Sequence, residues 1–394
     1  MNTSPPGDAS EQGPPAAAPY APESVIPRYG DRLCPLDDDS QILRFGTWNM
    51  RGFPYKDSPK LVSLTNMIRD HQFTVLALNE LNRNWTKVPI YHRPAAVLRQ
   101  SLGPDTHTHI AYNRHSKSTS SYVYGGTAVC TIGPERSRVM EWGSDPTGLG
   151  RWCWQTHRGK HGKRVRYYSA YCPVQSTNPG SVYTQHLQYF TDTNHSNPSP
   201  LERFLEDLQA DIQTSTQAGD LIVLGLDANF DLTTQNSFTE MTQTCQLVNP
   251  ILSLPSKGHG ALPPSRIPGS RVIDGIYISA GLQIEACGYL GTDDLPPLTD
   301  HACLWFDISI PQLYGYTLPP PLPPHAHRLQ IDRPRTVAKF QALVHKILSI
   351  RRVPERVNKF MDALPTMNNK QRATHWMLSY LSEIVQMSSL LGMS

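Results

Sequence analysis

Several apolar runs of this chain begin or end on residues that strands usually avoid. Asn49 closes RFGTWN, Glu80 closes FTVLALNE, and Tyr171 lies on the run into Pro173. Asp227 and Asn229 close LIVLGLDAN, Asp274 opens DGIYIS, and Asp300-His301 opens DHACLWFDI. One such acid or amide reads as a turn residue, because Asn and Asp hydrogen-bond their own backbone. A whole set at strand ends is the way a rigid scaffold presents chemistry. Glu80, Asn49 and one or two aspartates offer oxygen ligands suited to a hard divalent cation such as Mg²⁺. No His/Cys cluster points to zinc, and no serine or cysteine stands beside a histidine as a nucleophile, so water is the expected attacker. Asp227 would polarise that water, while Asn229 and His301 would donate to a developing phosphorane oxygen. Asp274 would hold His301 in its charged form. The chemistry predicted is hydrolysis of a phosphodiester or phosphomonoester.

The elements that must position these residues alternate along the chain. Ser58-Pro59 starts a helix over 58–71 that spaces Leu61, Leu64 and Ile68 on one face. Ser199 caps, and Pro200 opens, a second over 199–212 carrying Leu201, Phe204, Leu205, Leu208 and Ile212. Runs at 73–80, 120–132, 164–174, 220–230, 270–279 and 299–308 read as strands. The order predicts an α/β body over 41–310 with sheets inside and helices outside. Residues 1–40, rich in Pro, Ala, Gly and Ser, are expected to be disordered. TLPPPLPPHAHR marks a linker over 311–333, and 334–394 is patterned as a basic helical tail broken at Pro354 and Pro365.

The net charge of +3 is unevenly placed. Residues 333–394 hold ten Lys and Arg against three acids, which leaves 26 bases and 30 acids elsewhere. An acidic body with a basic tail suggests that the tail meets a polyanion or the body itself. Seven cysteines without a CxxC pair, and no signal-like N-terminus, predict an intracellular protein with reduced thiols. No run approaches a membrane span, so no membrane partner is expected.

The blocks TWNMRG, LALNE, GGTAV, SAYCP, GLDAN, IDGIYIS and TDHACL, in that order over residues 43–309, resemble the endonuclease/exonuclease/phosphatase superfamily. The resemblance implies a DNase I-like four-layer α-β-β-α sandwich with a Mg²⁺-dependent site, Mn²⁺ being able to substitute. Carried over block by block, Asn49 and Glu80 serve metal and phosphate binding, and Asp300 lies near the metal. Tyr171 lines the phosphate, Asp227 and Asn229 act on water and phosphate, and His301 is the phosphate-side partner of Asp274. Arg51 stands where DNA-repair members carry an acid, and the Asn-x-Arg-Gly form is similar to endonuclease domains of LINE-type (non-LTR) retroelements. That likeness implies a nick in DNA leaving a 3′-hydroxyl and a 5′-phosphate. It also implies a nuclear location and a reverse transcriptase or RNA partner encoded separately, since the chain has no polymerase signature.

Two basic loops bear on the substrate. Arg158, Lys160, Lys163, Arg164 and Arg166 form a hairpin running into the Tyr171 strand, and Lys257, Arg266 and Arg271 precede Asp274. Basic ribbons beside a phosphoesterase centre suit a nucleic-acid backbone. An exposed lysine-rich hairpin that discourages edge pairing is an equal reading of the first. The alternatives are a small-molecule phosphoesterase of inositol-phosphate or sphingomyelin type, an abasic-site repair enzyme, and a catalytically inactive nucleic-acid-binding relic.

Overall fold

A computed structural model describes residues 25–37, 40–291, 299–315 and 334–350, with positions 352, 355, 358, 359 and 362. Strands β1 (Tyr29–Gly30), β2 (Ile42–Asn49), β3 (Val75–Asn79), β4 (Thr106–Ala111) and β5 (Thr127–Ile132) begin one sheet. Strands β6 (Val139–Ser144), β7 (Trp152–Arg158), β8 (Arg164–Tyr171), β9 (Asp220–Asp227), β10 (Leu247–Val248) and β11 (Asp274–Ser279) make a second. The chain then returns to the first through β12 (Ala286–Leu290) and β13 (Cys303–Ser309). Among the described residues the orders are β1-β12-β13-β2-β3-β5-β4 and β10-β11-β9-β8-β7-β6. Among the described residues only β2 with β3 and β8 with β9 pair in parallel.

Each parallel pair needs a helical crossover. Helix α1 (Pro59–Asp70) joins β2 to β3; its N-cap is Ser58, whose side chain accepts from the Leu61 N–H at 3.2 Å. Helix α2 (Pro94–Leu102) lies beside it in sequence, between β3 and β4. Helices α3 (Val182–Asp192) and α4 (Pro200–Gln217) join β8 to β9, with Ser199 capping α4 as its sequence predicts. Helix α5 (Ser237–Thr244) follows β9, and α6 (Ile310–Tyr314) follows β13.

Three apolar clusters define four layers. Phe45, Val75, Val129, Val165, Val223 and Ile276 meet between the sheets. Leu61, Leu64, Met67 and Leu98 cover the first sheet against Leu76, Leu78 and Trp305. Phe204, Leu208, Ile212 and Phe238 cover the second against Trp152, Tyr168 and Leu224. Each such side chain contributes about 1.5–3 kcal/mol by leaving water. The architecture is the expected α-β-β-α sandwich. Among the described residues no helix is long and apolar enough to cross a membrane, and all seven cysteines are free thiols.

The structure corrects three boundaries. Residues 25–37 are ordered against the body rather than disordered, because β1 covers the edge of β12 and Ile26 is buried. The body runs past residue 310, because Tyr314 of α6 is fully buried and its hydroxyl bonds that of Tyr167 at 2.9 Å. The strand expected over 120–132 starts only at Thr127, since Gly125 and Gly126 take φ of 95° and 91° and break the extended backbone. Residues 334–350 form α7 (Pro334–Ile350) in a separate unit. Residues 1–24, 316–333 and 363–394 of the expected terminal segments lie outside the described residues.

Candidate active site

Strand polarity gathers the polar strand ends. In the parallel pair β2/β3, Asn49 stands beside Asn79, and Glu80 follows. In β8/β9, Tyr171 stands beside Asp227, and antiparallel β11 sets Asp274 opposite Asp227. Asp300 and His301 precede β13, which runs antiparallel to β2 with Leu304 opposite Thr47. All eight residues therefore meet at one edge of the sandwich.

Hydrogen bonds join the two sheets there. Asn49 Nδ2 donates to Asp227 Oδ2 at 2.9 Å, and Asn49 Oδ1 accepts the Arg51 N–H at 2.9 Å. The Asn229 N–H donates to Asp227 Oδ1 at 3.0 Å, while Asn229 Nδ2 donates to the Cys172 carbonyl at 2.7 Å. His301 Nδ1 lies 2.8 Å from Asp274 Oδ2. Ser265 Oγ donates to that same oxygen at 2.8 Å and accepts the backbone N–H groups of Ile273 and Asp274. Arg51, Glu80, Asn82 and Asn229 all hold positive φ, between 43° and 55°. Such backbone strain in non-glycine residues gathers at functional sites.

The electrostatics differ from those of an ordinary core. Burial pushes the Asp227 carboxyl up to about 8; the neighbouring Asp274 adds to this, and His301 opposes it. Burial alone would lower His301, but the charge and hydrogen bond of Asp274, helped by Asp227 and Asp300, raise it to about 9. Burial, then Glu80 and Asp227, hold the Tyr171 hydroxyl well above its usual range. The site thus combines a charged histidine, a protonated phenol and a carboxyl that titrates near neutrality.

The donor set fits a hard cation. Glu80, Asp227, Asp274 and Asp300 bring four carboxylates to one edge, and their oxygens suit Mg²⁺ or Mn²⁺ rather than a soft metal. Among the described residues, Asp227, Asp274 and His301 bring possible ligand atoms within 4.8 Å of one another. This cluster differs from the expected set of Glu80, Asn49 and Asp300. Its atoms are already engaged, since Asp274 Oδ2 serves both His301 and Ser265. Asp300 is engaged too, with Arg266 Nε at 3.1 Å and Arg51 Nη1 at 3.5 Å.

The basic hairpin is not beside the site. Tyr171 ends β8 and Arg164 begins it, so the turn lies about 23 Å away along the strand. There Arg164 and Arg166 pair with buried Asp220 at 2.7 and 2.9 Å, and Lys163 Nζ donates to the Gln312 carbonyl at 3.0 Å. Lys160 bonds through its backbone to the Tyr314 carbonyl, and Arg158 starts the same turn. Arg266 does reach the edge through Asp300, and the exposed Arg271 lies on the loop that bonds Ser265. Sequence reasoning overlooked Ser265 and Arg83. Arg83 stacks on Tyr55 with its guanidinium carbon 3.2 Å from the ring centroid. No local pattern marks either, because their partners are distant in sequence or depend on loop packing.

A family model described as the endonuclease/exonuclease/phosphatase family matches residues 46–333. The chain belongs to that family. Its members are typically hydrolytic nucleases or phosphatases, and its DNase I-like layers are those seen here. Among solved structures, the human Nocturnin catalytic domain is similar at 14% identity and a TM-score of 0.48, covering 68% of this chain and 94% of that one. The 3′–5′ exonuclease NExo from Neisseria meningitidis is similar at 18% identity and a TM-score of 0.46, covering 68% and 100%. The endonuclease domain of TRAS1, a telomere-specific non-LTR retrotransposon, is similar at 10% identity and a TM-score of 0.38, covering 68% and 99%. No curated protein matches the sequence.

Proposed function

We propose that this chain is a divalent-cation-dependent phosphodiesterase that nicks DNA, leaving a 3′-hydroxyl and a 5′-phosphate. The observation that carries the reading is the meeting of Asn49–Asp227 with Asp274–His301 across two sheets at one edge. Asp227, oriented by Asn49 and the Asn229 N–H, takes the proton of the attacking water. His301, charged and anchored through Nδ1, offers its other ring nitrogen to a phosphate oxygen as charge develops there. Tyr171 would line the phosphate, and Asn229 would act on it beside Asp227. Glu80, with Asn49 and Asp300, would hold Mg²⁺ or Mn²⁺, which when bound neutralises phosphate charge and acidifies water.

Arg51 and Arg266 support the nucleic-acid substrate. The side chains of Arg51 and Arg266 are 54% and 46% exposed beside Asp300, placed to meet backbone phosphates. The Asn-x-Arg-Gly form supports a retroelement-type nuclease, and with it a nuclear setting and a separately encoded reverse transcriptase or RNA partner. The distance of the basic hairpin from the edge favours a second reading, a small phosphoester substrate.

Supercoiled plasmid incubated with the full chain and Mg²⁺ tests both readings. Nicked circles that require Mg²⁺ and vanish in Asp227→Ala are expected. Hydrolysis of bis(p-nitrophenyl) phosphate without any nicking would transfer the assignment to small phosphoesters. Failure on both substrates would leave a binding role.

A further inference from the structure

A cavity of 530 Å³ lies between the loop joining β4 to β5 and helix α3. The reaction outlined above does not use it. Four of the residues that line it carry rings: His115, Tyr122, Tyr124 and Tyr189. Tyr122 and Tyr124 meet edge to face with centroids 4.9 Å apart, and His115 lies tilted on Tyr189 at 4.6 Å. Tyr122 and Tyr124 remain 45% and 51% exposed, although an apolar cavity lies beside them. Asn113, Gln185 and Gln188 supply amides at its border, with Asn113 Nδ2 donating to Gln185 Oε1 at 2.8 Å. The cation at this cavity, Lys117, is already within 3.9 Å of Asp192. The lining therefore suits an uncharged, flat, hydrogen-bonding group better than a phosphate.

Its position ties it to the catalytic edge. The Gly125 N–H donates to Asn82 Oδ1 at 2.8 Å, and the Asn82 N–H returns a bond to the Gly125 carbonyl at 2.9 Å. The tyrosine loop is thus strapped two residues from Glu80. Tyr122 lies close enough to Asn82, Glu80 and Arg51 to feel their charges and dipoles, although burial is the main cause that raises its hydroxyl to about 12. On the other side, α3 is the helix that follows Tyr171 along the chain. One wall thus continues from β8, which ends on Tyr171, and the other is tied through Asn82 to the segment that carries Glu80.

We propose that this cavity receives a nucleobase of the nucleotide flanking the scissile phosphate, unstacked from its strand, with Tyr122 and Tyr189 as stacking surfaces and Gln188 at its border. The inference rests on the nucleic-acid reading of the site and deepens it. A substrate with a single-stranded or unpaired nucleotide at that step is then preferred, because a paired base must first be extruded.

The test uses the full chain with Mg²⁺ and three probes: a single-stranded oligonucleotide, the same strand abasic beside the cut, and bis(p-nitrophenyl) phosphate. Oligonucleotide affinity is also read by fluorescence anisotropy, independently of turnover. Tyr122→Ala and Tyr189→Ala should weaken the normal oligonucleotide about 5- to 160-fold, the range one base–aromatic stack supplies. They should leave bis(p-nitrophenyl) phosphate hydrolysis unchanged, and Tyr122→Phe should retain wild-type behaviour. The abasic strand should show the same loss with the wild-type chain and no further loss with Tyr122→Ala. Equal losses on all three probes, or independent losses from abasic strand and variant, would overturn the assignment. An oligonucleotide cut equally by wild type and Tyr122→Ala would sink this inference alone. A chain that hydrolyses the small diester but neither binds nor cuts the oligonucleotide would remove the nucleic-acid reading and this inference with it.

Discussion

The same two parallel strands carry a buried aspartate at each end, and the two are treated in opposite ways. Asp220 opens β9 beside Arg164 of β8, and its carboxylate meets two guanidinium groups at 2.7 and 2.9 Å. Asp227 closes β9 beside Tyr171, accepts from an asparagine, and faces Asp274 and Glu80. Two buried histidines repeat the contrast. His157 on β7 sits between Thr131 and the Tyr314 hydroxyl, and burial, then Arg138 and His107, lower it to about 3. His301, with Asp274, is raised to about 9. One end of the sandwich neutralises its buried charges with fixed partners and is structural. The other leaves acids crowded together, and there burial and the neighbouring Asp274 push the Asp227 carboxyl up to about 8.

The largest expected effect breaks the contrast at its active end. Asp227→Asn should lower turnover about 10²- to 10⁴-fold, the usual worth of a general base. It should leave denaturant stability unchanged or raised, since a carboxyl held near 8 is removed. A loss of stability in step with activity would show that Asp227 is structural. Asp220→Asn is the mirror experiment. It should destabilise by about 2–3 kcal/mol, less than a fully buried pair because Arg164 keeps 28% of its side chain exposed. Turnover per folded molecule should not change, and any specific kinetic defect would undo the division.

The histidines give a smaller effect with opposite signs. The His157 pKa is lower folded than unfolded, so between pH 6.5 and 3 the unfolded chain takes up a proton that the folded chain refuses. Stability therefore falls with acid across that window, by at most about 1.4 kcal/mol per pH unit. His301 is raised, so its contribution is complete below pH 6.5 and is lost as pH rises through about 9. Urea titrations across pH 4–10 should show His157→Gln flattening the acid limb and His301→Gln removing the alkaline one. Exchanged or unaltered limbs would refute the assignment. Smallest of all, Lys160→Ala and Lys163→Ala in the hairpin should stay within about 0.5 kcal/mol of wild-type stability. The salt dependence of DNA nicking should not change either. A slope reduced by about one per lysine would put the hairpin back on the substrate path.

Much of this was legible in the chain before any coordinates. Ser58 and Ser199 cap helices because a hydroxyl ahead of a proline-led amphipathic run satisfies orphan N–H groups wherever the run lies. Asn49, Glu80, Asp227 and His301 stood out because strand interiors reject such residues, so that signal is also local. What local patterning could not supply was direction and company. The hairpin from Arg158 to Arg166 leads into Tyr171, yet a strand separates the two ends, and only the sheet decides which end meets Asp274. The bond from Asn49 to Asp227 spans 178 residues, and Ser265, Arg83 and the tyrosine cavity exist as features only through such contacts. The sequence by itself determined which residues leave the strands and how the helices begin. Sheet polarity and interlayer packing alone decided which of those residues share an edge, because pairing register and burial depend on partners that no local window contains.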